Sequence, residues 1–198
     1  MAYASLLELR LAMDLGLDDG DETSLIRALD SATQWIDSYT GRMFTLDSAD
    51  TTRYFYPDRQ GIVNVPDLAT VTSIALDTSG QRTYTTTLTA SEYELRPIDG
   101  PPYQEIVMWP IGTSHAFIST ERVKIVGKFG YTVDGLPPAA VKQACIILAS
   151  RHYKRREAPF GILQSTDLGT FSRISKEDPD VVSLLSPYRL TGSSWILV

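Results

Sequence analysis

The residues of this sequence that could do chemistry are few and far apart. Neither His115 nor His152 belongs to a His-x-x-x-His or Glu-x-x-His pair, the spacings that place two metal ligands on one helix face. Gly127-Lys128 has no glycine five residues earlier, so a phosphate-binding P-loop is excluded. The Gly-x-Ser-x-Gly turn of many hydrolases is also absent. The sequence therefore predicts no catalytic residue, no metal ligand and no cofactor.

Cys145 is the single cysteine of the chain, so no internal disulfide can form and a thiol-rich metal site is excluded. A lone thiol suits a reducing cytoplasm. Cys145 falls on the apolar stripe of a predicted helix, which favours a buried, inert thiol over a nucleophile. His152 ends the same stripe and is predicted to be a packed or capping histidine rather than a pH switch.

Two further groups have a structural and a functional interpretation. Trp35 and Tyr39 could stack on a nucleic-acid base, but their helical spacing beside apolar neighbours predicts a place in the core. The acidic turn before the second helix lacks the spaced ligands and closing glutamate of a calcium loop. We therefore expect a solvated turn whose carboxylates stabilise the positive end of that helix; its acids are Asp18, Asp19, Asp21 and Glu22.

Charge is distributed unevenly along the chain. The 24 acidic and 18 basic residues give a formal net charge of -6, which disfavours a protein that coats nucleic acid. The first 50 residues hold ten acids and three bases, whereas residues 137–156 hold five bases and no acid. Four of those bases cluster near a predicted helix end: Arg151, Lys154, Arg155 and Arg156. Part of the cluster complements the helix dipole. The rest is predicted to meet an acidic face of another copy, with DNA contact the less favoured interpretation.

The elements that must position these residues indicate an α+β fold. Helical periodicity predicts a helix pair within residues 3–40 and a long helix at 138–156. A block at 50–131, rich in Thr, Tyr, Val and Ile and interrupted by turn residues, predicts antiparallel strands. The strands are expected at Thr52–Tyr56, Ile62–Val65, Val71–Leu76, Arg82–Leu88, Tyr93–Leu95, Glu105–Trp109 and Arg122–Phe129.

The division of the chain follows from these elements. We expect one domain at 1–157 and an extended tail at 158–198 with a short helix near 179–186. The tail is broken by turns yet rich in large apolar residues, and this combination favours a segment that becomes ordered on another protein. On the long helix, Ile146 and Tyr153 form a second apolar patch beside the main stripe. We predict that they contact a neighbouring subunit, together with Arg151 and Lys154.

Neither membrane insertion nor secretion is expected. Glu8, Arg10 and Asp14 interrupt the apolar run at the start of the chain, so this run does not have the pattern of a signal peptide. No stretch approaches the roughly 18 consecutive apolar residues of a membrane span.

Two stretches of the chain resemble a known family. The first is the order helix, acidic turn, helix, followed by Tyr39-Thr40-Gly41-Arg42-x-Phe44. The second is the segment from Val126 to Gly161, VGKFGYTVDGLPPAAVKQACIILASRHYKRREAPFG. A strand ending Gly-Lys-Phe-Gly-Tyr, a proline-led helix, a basic run and Ala-Pro-Phe-Gly together resemble the head-to-tail connector, or head-completion, proteins of tailed bacteriophages. The two stretches cover under half of the chain.

The resemblance implies a structural role in a virion neck, assembled in the host cytoplasm. Such adaptors form a homo-oligomeric ring, typically of twelve copies, that docks beneath the portal protein and extends the DNA channel. The ring joins the portal to the next connector or tail-completion protein, and packaged DNA passes through its lumen without sequence-specific contact. The family has no catalytic residues. Its segment after the long helix reaches the portal, which here corresponds to Arg155, Arg156, Phe160, Ile162, Phe171 and Ile174.

Three other functions are compatible with the sequence. The chain could be a tail-completion or tail-terminator ring protein, or a non-viral module that binds one partner through its tail. An enzyme with an unfamiliar site is disfavoured by the scarcity of polar constellations. No residue is assigned to DNA binding.

Overall fold

The computed structural model describes residues 2–16, 20–58, 61–108, 122–155 and 178–190, and the backbone of 162–163 and 172–173. The chain forms two compact units. The helical unit combines residues 1–42 with 137–198, and the sheet unit consists of residues 43–136. The sheet unit is thus inserted in the sequence between the two segments of the helical unit. The predicted boundary after residue 157 stays a prediction.

The helical unit contains α1 (Leu6–Ala12), α2 (Glu22–Thr40), α3 (Ala139–Arg155) and α4 (Pro179–Leu185), followed by a 3-10 turn at Ser186–Tyr188. Two strands of two residues each, β7 (Ile162–Leu163) and β8 (Ser172–Arg173), pair antiparallel. No helix among the described residues is both long enough and apolar enough to cross a bilayer.

Local signals explain where the first two helices begin and end. The Ser5 hydroxyl accepts from the Glu8 N–H at 3.2 Å, and the Glu8 carboxylate accepts from the Ser5 N–H at 2.8 Å, which forms a capping box for α1. Asp21 caps α2 through the Thr23 N–H at 3.1 Å. Gly41, with a φ of 68°, ends α2 in the left-handed conformation that glycine adopts without a steric penalty.

The core of the helical unit lies between the apolar stripes of α2 and α3. The α2 stripe repeats every three or four residues, as a helix with one buried face requires. Its buried members are Leu25, Ala28, Leu29, Ala32, Thr33, Ile36 and Thr40. The facing residues of α3 are Val141, Ala144, Cys145, Leu148, Ala149 and Tyr153. The two helices pack directly against each other, and α3 also contacts α1 and α4.

The sheet unit is a six-stranded antiparallel sheet. Its strands are β1 (Thr51–Phe55), β2 (Ile62–Asp77), β3 (Thr86–Leu88), β4 (Tyr93–Arg96), β5 (Tyr103–Met108) and β6 (Arg122–Phe129). The order is β1-β6-β2-β5-β4, with β3 paired to β2. One face is a core of buried side chains from these strands: Val63, Val65, Leu68, Ile74, Leu76, Leu88, Ile106, Met108, Val123, Ile125 and Phe129. Alternation along β6 is the pattern of a strand with one buried face.

The fold class is confirmed as α+β, with helices at both ends of the sequence and an antiparallel sheet between them. Two strand predictions were wrong in detail. The segments Ile62–Val65 and Val71–Leu76 belong to one strand, β2, although Pro66 lies inside it. Its pairing with β5 shifts register between Asn64 and Leu68, and this irregularity accommodates a residue that has no N–H to donate.

The strand predicted at Arg82–Leu88 contains only Thr86–Leu88. Arg82 and Tyr84 have φ values of 62° and 44°, and a strand cannot continue through such a conformation. The core prediction for Trp35 and Tyr39 was also wrong in part. Both side chains are half-buried and stack on each other, with ring centroids 5.0 Å apart. A pair spaced by four residues can cover its own apolar faces without entering the core.

Candidate interaction site at the end of helix α3

Helix α3 is anchored on α2 by its buried face. Cys145 is completely buried, and its Sγ lies 3.8 Å from the Thr33 hydroxyl oxygen of α2. Burial raises the pKa of the Cys145 thiol, so the neutral form is favoured and reactivity is suppressed. The predicted buried cysteine is confirmed, and no group of residues that could hold a metal ion occurs in the described part of the chain.

Tyr153 closes the junction between the C-terminal part of α3 and the beginning of α2. Its side chain is 8% exposed, and its hydroxyl oxygen accepts from the Asp21 N–H at 3.3 Å. Gly20 lies against the same hydroxyl with a φ of 82°, and a Cβ at that position would stand 3.1 Å from it. Tyr153 therefore has little surface left for another subunit. Ile146 is partly exposed, and the assignment of both residues to a subunit interface stays a prediction.

Arg151 connects α3 to the short helix α4. Its guanidinium pairs with the carboxylate of Asp178, the N-cap of α4, which also accepts from the Asp180 N–H at 3.0 Å. Val181 and Leu185 of α4 are completely buried. Arg151 and Asp178 lie 27 residues apart, and no local spacing rule connects them, so sequence reasoning assigned Arg151 to a neighbour and missed this pair.

The segment after α4 also packs on its own unit. The Leu190 N–H donates to the Thr40 carbonyl at 2.9 Å, and Arg42 Nε donates to the Tyr188 carbonyl at 2.7 Å. The Arg189 guanidinium lies 5.5 Å from the centroid of the Tyr39 ring, within the range of a cation–π contact. Residues 178–190 are therefore held by intramolecular contacts, which leaves the other parts of the predicted tail as candidates for binding a partner.

Lys154 and Arg155 are the exposed cations of the site. Both lie in the last turn of α3, where they complement the helix dipole. Neither forms an ion pair with any residue that the structure describes. Their charges therefore face solvent and are available to an acidic surface on another molecule.

His152 is half-buried and lies close to the cations Arg155 and Arg151. Burial lowers its pKa, and the positive charges of Arg155 and Arg151 lower it further, so the imidazole is neutral at neutral pH. Its Nε2 is buried and has no hydrogen-bond partner within the described residues. The packed histidine expected from the apolar stripe agrees with this environment.

An open pocket of about 300 Å³ lies beside His152. It is lined by Ser24, Arg27, Ala28 and Ser31 of α2 and by His152 and Tyr153 of α3. Enzyme sites are usually deeper and combine an apolar wall with convergent titratable groups. None of the described residues that line this pocket is a carboxylate or an activated nucleophile, so its chemistry suits surface contact.

The N-terminal acids are partly used within the unit. Glu8 pairs with Lys142 at 3.0 Å, and Glu22 lies 3.7 Å from Arg10. Hydrogen bonds from Ser5 and Lys142 lower the pKa of Glu8 to about 2. These two acids are therefore less available to a second copy than the sequence implied.

Few of the residues predicted to bind the portal lie in the described part of the chain. Arg155 is exposed, and the backbone of Ile162 pairs with Arg173 in the β7–β8 hairpin. The other residues predicted to bind the portal, Arg156, Phe160, Phe171 and Ile174, lie outside the described residues, as do Asp18 and Asp19 of the acidic turn.

Comparison with known proteins gives matches among solved structures only. No family model matches the chain, and no curated protein does. A chain from the neck of an empty GTA particle computed with C6 symmetry matches with a TM-score of 0.57 and 21% identity, covering 96% of this chain and 91% of its own.

Two further structures agree. A chain from the virion of a native gene transfer agent (GTA) particle matches with a TM-score of 0.59 and 19% identity, covering 96% of this chain and 91% of its own. A chain from the neck of a native GTA particle computed with C12 symmetry has a TM-score of 0.53 and 20% identity, with 95% and 89% covered. At this level of identity the likeness shows a shared fold over nearly the whole chain.

Proposed function

We propose that this chain is a structural component of the neck of a phage-like particle, where it forms a head-to-tail adaptor ring beneath the portal. The observation that carries the proposal is the fold likeness to neck chains of GTA particles, which extends over 95–96% of this chain. It includes both the helical unit and the sheet unit, so it does not rest on one common motif.

The surface chemistry supports a role in assembly. A ring needs two different surfaces on each copy, joined head to tail, with a rotation that closes. Lys154 and Arg155 supply exposed positive charge at one end of α3, and exposed acids such as Asp30 on α2 supply negative charge elsewhere on the helical unit. Ile146, in the middle of α3, adds a partly exposed apolar contact. An acidic chain lining a channel would repel DNA and let it slide, which suits passage without sequence-specific contact.

The portal contact is assigned to the chain after α3. The proposed contact residues are Arg155, Arg156, Phe160, Ile162, Phe171 and Ile174, which combine two bases with large apolar side chains. Such a combination suits an interface with an apolar centre and a charged rim.

Electron microscopy of this protein mixed with its candidate portal tests the proposal. We expect a ring seated on the portal for the full chain, and loss of that ring when residues 158–177 are replaced by a glycine–serine linker of equal length. Retaining α4 in this variant keeps the Arg151–Asp178 pair, so the helical unit stays folded. A Lys154→Glu/Arg155→Glu variant should weaken ring formation, whereas Arg96→Glu in the sheet unit should not.

Each other outcome has a defined meaning. A ring that binds a tail tube and ignores the portal would replace the adaptor role with that of a tail terminator. A folded monomer that associates with neither, under any assembly condition, would contradict the neck role and leave a non-viral interaction module.

A further inference from the structure

The sheet unit carries an exposed cluster of tyrosines and cations that the proposed neck role does not use. Tyr54 at β1 and Tyr56 just after it are 56% and 55% exposed. Tyr and Arg are the residue types enriched at the energetic centres of protein interfaces, so a cluster of both on an exposed face indicates a contact surface. Tyr84, Arg122 and Lys124 complete the cluster.

The cluster is held in place before any partner arrives. The ring centroids of Tyr54 and Tyr84 lie 5.2 Å apart. The Arg122 guanidinium lies 5.1 Å from the centroid of the Tyr56 ring, and Arg122 Nε donates to the Tyr56 hydroxyl. This hydrogen bond raises the pKa of Arg122, whose charge is permanent. A surface ordered by its own contacts loses less conformational entropy on binding.

One face of the sheet carries three cations of strand β6. Along β6, Val123 and Ile125 are completely buried, whereas Arg122, Lys124 and Lys128 occupy the alternate positions on the opposite, partly exposed face. Within the described residues, none of these three cations forms an ion pair.

Among the nearby carboxylates, Asp47 is paired with a cation, whereas Asp50 and Asp77 accept hydrogen bonds from neutral groups, which do not cancel a charge. Asp47 pairs with Arg53 at 3.2 Å, Asp50 accepts from the Thr72 hydroxyl, and Asp77 accepts from the Arg82 N–H at 2.7 Å. Asp77 lies opposite Arg122 in the register and offsets part of its charge, whereas Lys124 lies opposite Ala75 and Tyr54, so a negatively charged partner meets uncompensated positive charge at Lys124.

The cluster lies at an edge of the sheet. Strand β1 lies at one end of the strand order and pairs, among the described strands, with β6 alone. Tyr54 is opposite Lys124 in the register, so both side chains lie on the same face. An edge strand presents unpaired backbone N–H and C=O groups, which another extended chain can complete.

We propose that the β1 edge binds an extended, acidic segment of a partner protein by strand addition. The backbone of that segment pairs with Thr51–Phe55, its carboxylates meet Arg122 and Lys124, and its apolar atoms cover Tyr54 and Tyr84. Nucleic acid is the less suitable occupant, because three cations on one strand form a much smaller basic surface than the wide phosphate contact of nucleic-acid binding needs. The proposal does not depend on the neck role.

A titration of the isotope-labelled full-length chain tests the proposal. The probe is the peptide acetyl-Glu-Thr-Glu-Val-Glu-Thr-Glu-amide, and the readout is the chemical shift of backbone amides. We expect shifts concentrated at Thr51–Phe55 and slower hydrogen exchange of these amides. Arg122→Gln/Lys124→Gln should weaken binding at least tenfold and Tyr54→Ser at least threefold. Arg96→Gln, on the opposite edge strand β4, should leave binding unchanged.

The alternatives are tested in the same series. Equal binding of a peptide with Lys in place of every Glu, absence of shifts in β1, or wild-type affinity of the double variant each overturns the proposal. Tighter binding of a DNA duplex assigns the surface to nucleic acid, and self-association abolished by Arg122→Gln/Lys124→Gln assigns it to a second copy. Retained folding of each variant is checked by circular dichroism.

Discussion

Arg151 of α3 forms an ion pair with Asp178, the residue that caps α4. The pair joins the long helix to a segment that the chain reaches only after residues 156–177. It is also half-shielded, because the Asp178 side chain is 11% exposed and that of Arg151 is 38% exposed. One carboxylate thus serves two purposes: it begins a helix and holds that helix on the rest of the unit.

We expect Asp178→Ala to destabilise the helical unit by about 1–2 kcal/mol, because it removes both an N-cap and an ion pair. Arg151→Met should have a smaller effect, about 1 kcal/mol, since the cap survives. Chemical denaturation followed by circular dichroism measures both. The control is Lys154→Met, which removes an exposed cation of the same helix and should change stability by less than about 0.5 kcal/mol. Equal effects of Asp178→Ala and Lys154→Met would contradict the structural role of the pair.

Gly20→Ala should destabilise the protein by about 1–3 kcal/mol. The substitution forces an L side chain into a φ of 82° and places its Cβ 3.1 Å from the Tyr153 hydroxyl oxygen. Gly80→Ala is the matched control, because its φ is 70° but no atom lies within 4 Å of the added Cβ.

A double-mutant cycle separates strain from steric crowding at Gly20. In a Tyr153→Phe background the crowded oxygen is absent, so Gly20→Ala should cost less than in the wild-type chain. The loss of stability that Gly20→Ala still causes in the Tyr153→Phe background should equal the loss caused by Gly80→Ala. An unchanged cost in both backgrounds would show that the hydroxyl does not restrict this position.

The hydrogen bonds that Glu8 accepts from Ser5 and Lys142 predict acid sensitivity. The pKa of Glu8 is lowered from 4.5 to about 2 in the folded chain, so the unfolded state binds a proton more readily. The resulting stability is fully present above pH 4.5 and is lost as the pH falls towards 2. Because the side chains are 36% and 40% exposed, solvent screening reduces the contribution to about 1 kcal/mol or less.

Unfolding measured at several pH values tests this expectation. Glu8→Gln should make the decline in stability between pH 4.5 and 2 less steep. The control is Asp30→Asn, which changes an exposed carboxylate of α2 and should reduce the steepness of this decline less than Glu8→Gln does. An identical decline for the wild-type chain and Glu8→Gln would exclude a contribution from this carboxylate.

His152 predicts a second pH dependence in a different window. Burial and the adjacent Arg155 and Arg151 lower its pKa below 6.5 in the folded state. Protonation therefore favours the unfolded state, and the stability contributed by the neutral imidazole is present above pH 6.5 and is lost as the pH falls. His152→Gln should reduce the decline in stability between pH 6.5 and 5. Proton NMR of the imidazole gives the pKa directly, and a value at or above 6.5 would contradict this environment.

Much of the fold was predictable because its signals are local. The stripe Leu25, Ala28, Leu29, Ala32 and Ile36 has the period of a helix with one buried face, and Gly41 provides the left-handed residue that ends it. The alternation in β6 likewise follows from a strand that is buried on one side. Strand β2 was predicted as two separate strands, and only the register shift in its pairing with β5 shows how Pro66 is accommodated inside one strand.

The candidate sites were less predictable, because a charged side chain has no periodicity that identifies its partner. Lys154 and Arg155 were recognised as cations at a helix end, and their exposure agrees with that interpretation. Arg151 has the same sequence context but is paired with Asp178. The tyrosines of the β1 edge read as ordinary strand residues, since β propensity and exposure on a binding surface favour the same residue type.

The sequence by itself determined the α+β class, the helices α2 and α3, the buried state of Cys145 and the absence of recognised catalytic motifs, because these depend on residue type and on spacing within about 20 positions. Only the tertiary structure decided that Arg151 meets Asp178, that Tyr153 receives the Asp21 N–H, and that Arg122 lies over Tyr56 at a sheet edge. These contacts join residues 27, 132 and 66 positions apart. Separations of this size are set by how whole helices and strands pack, which no local pattern of side chains encodes.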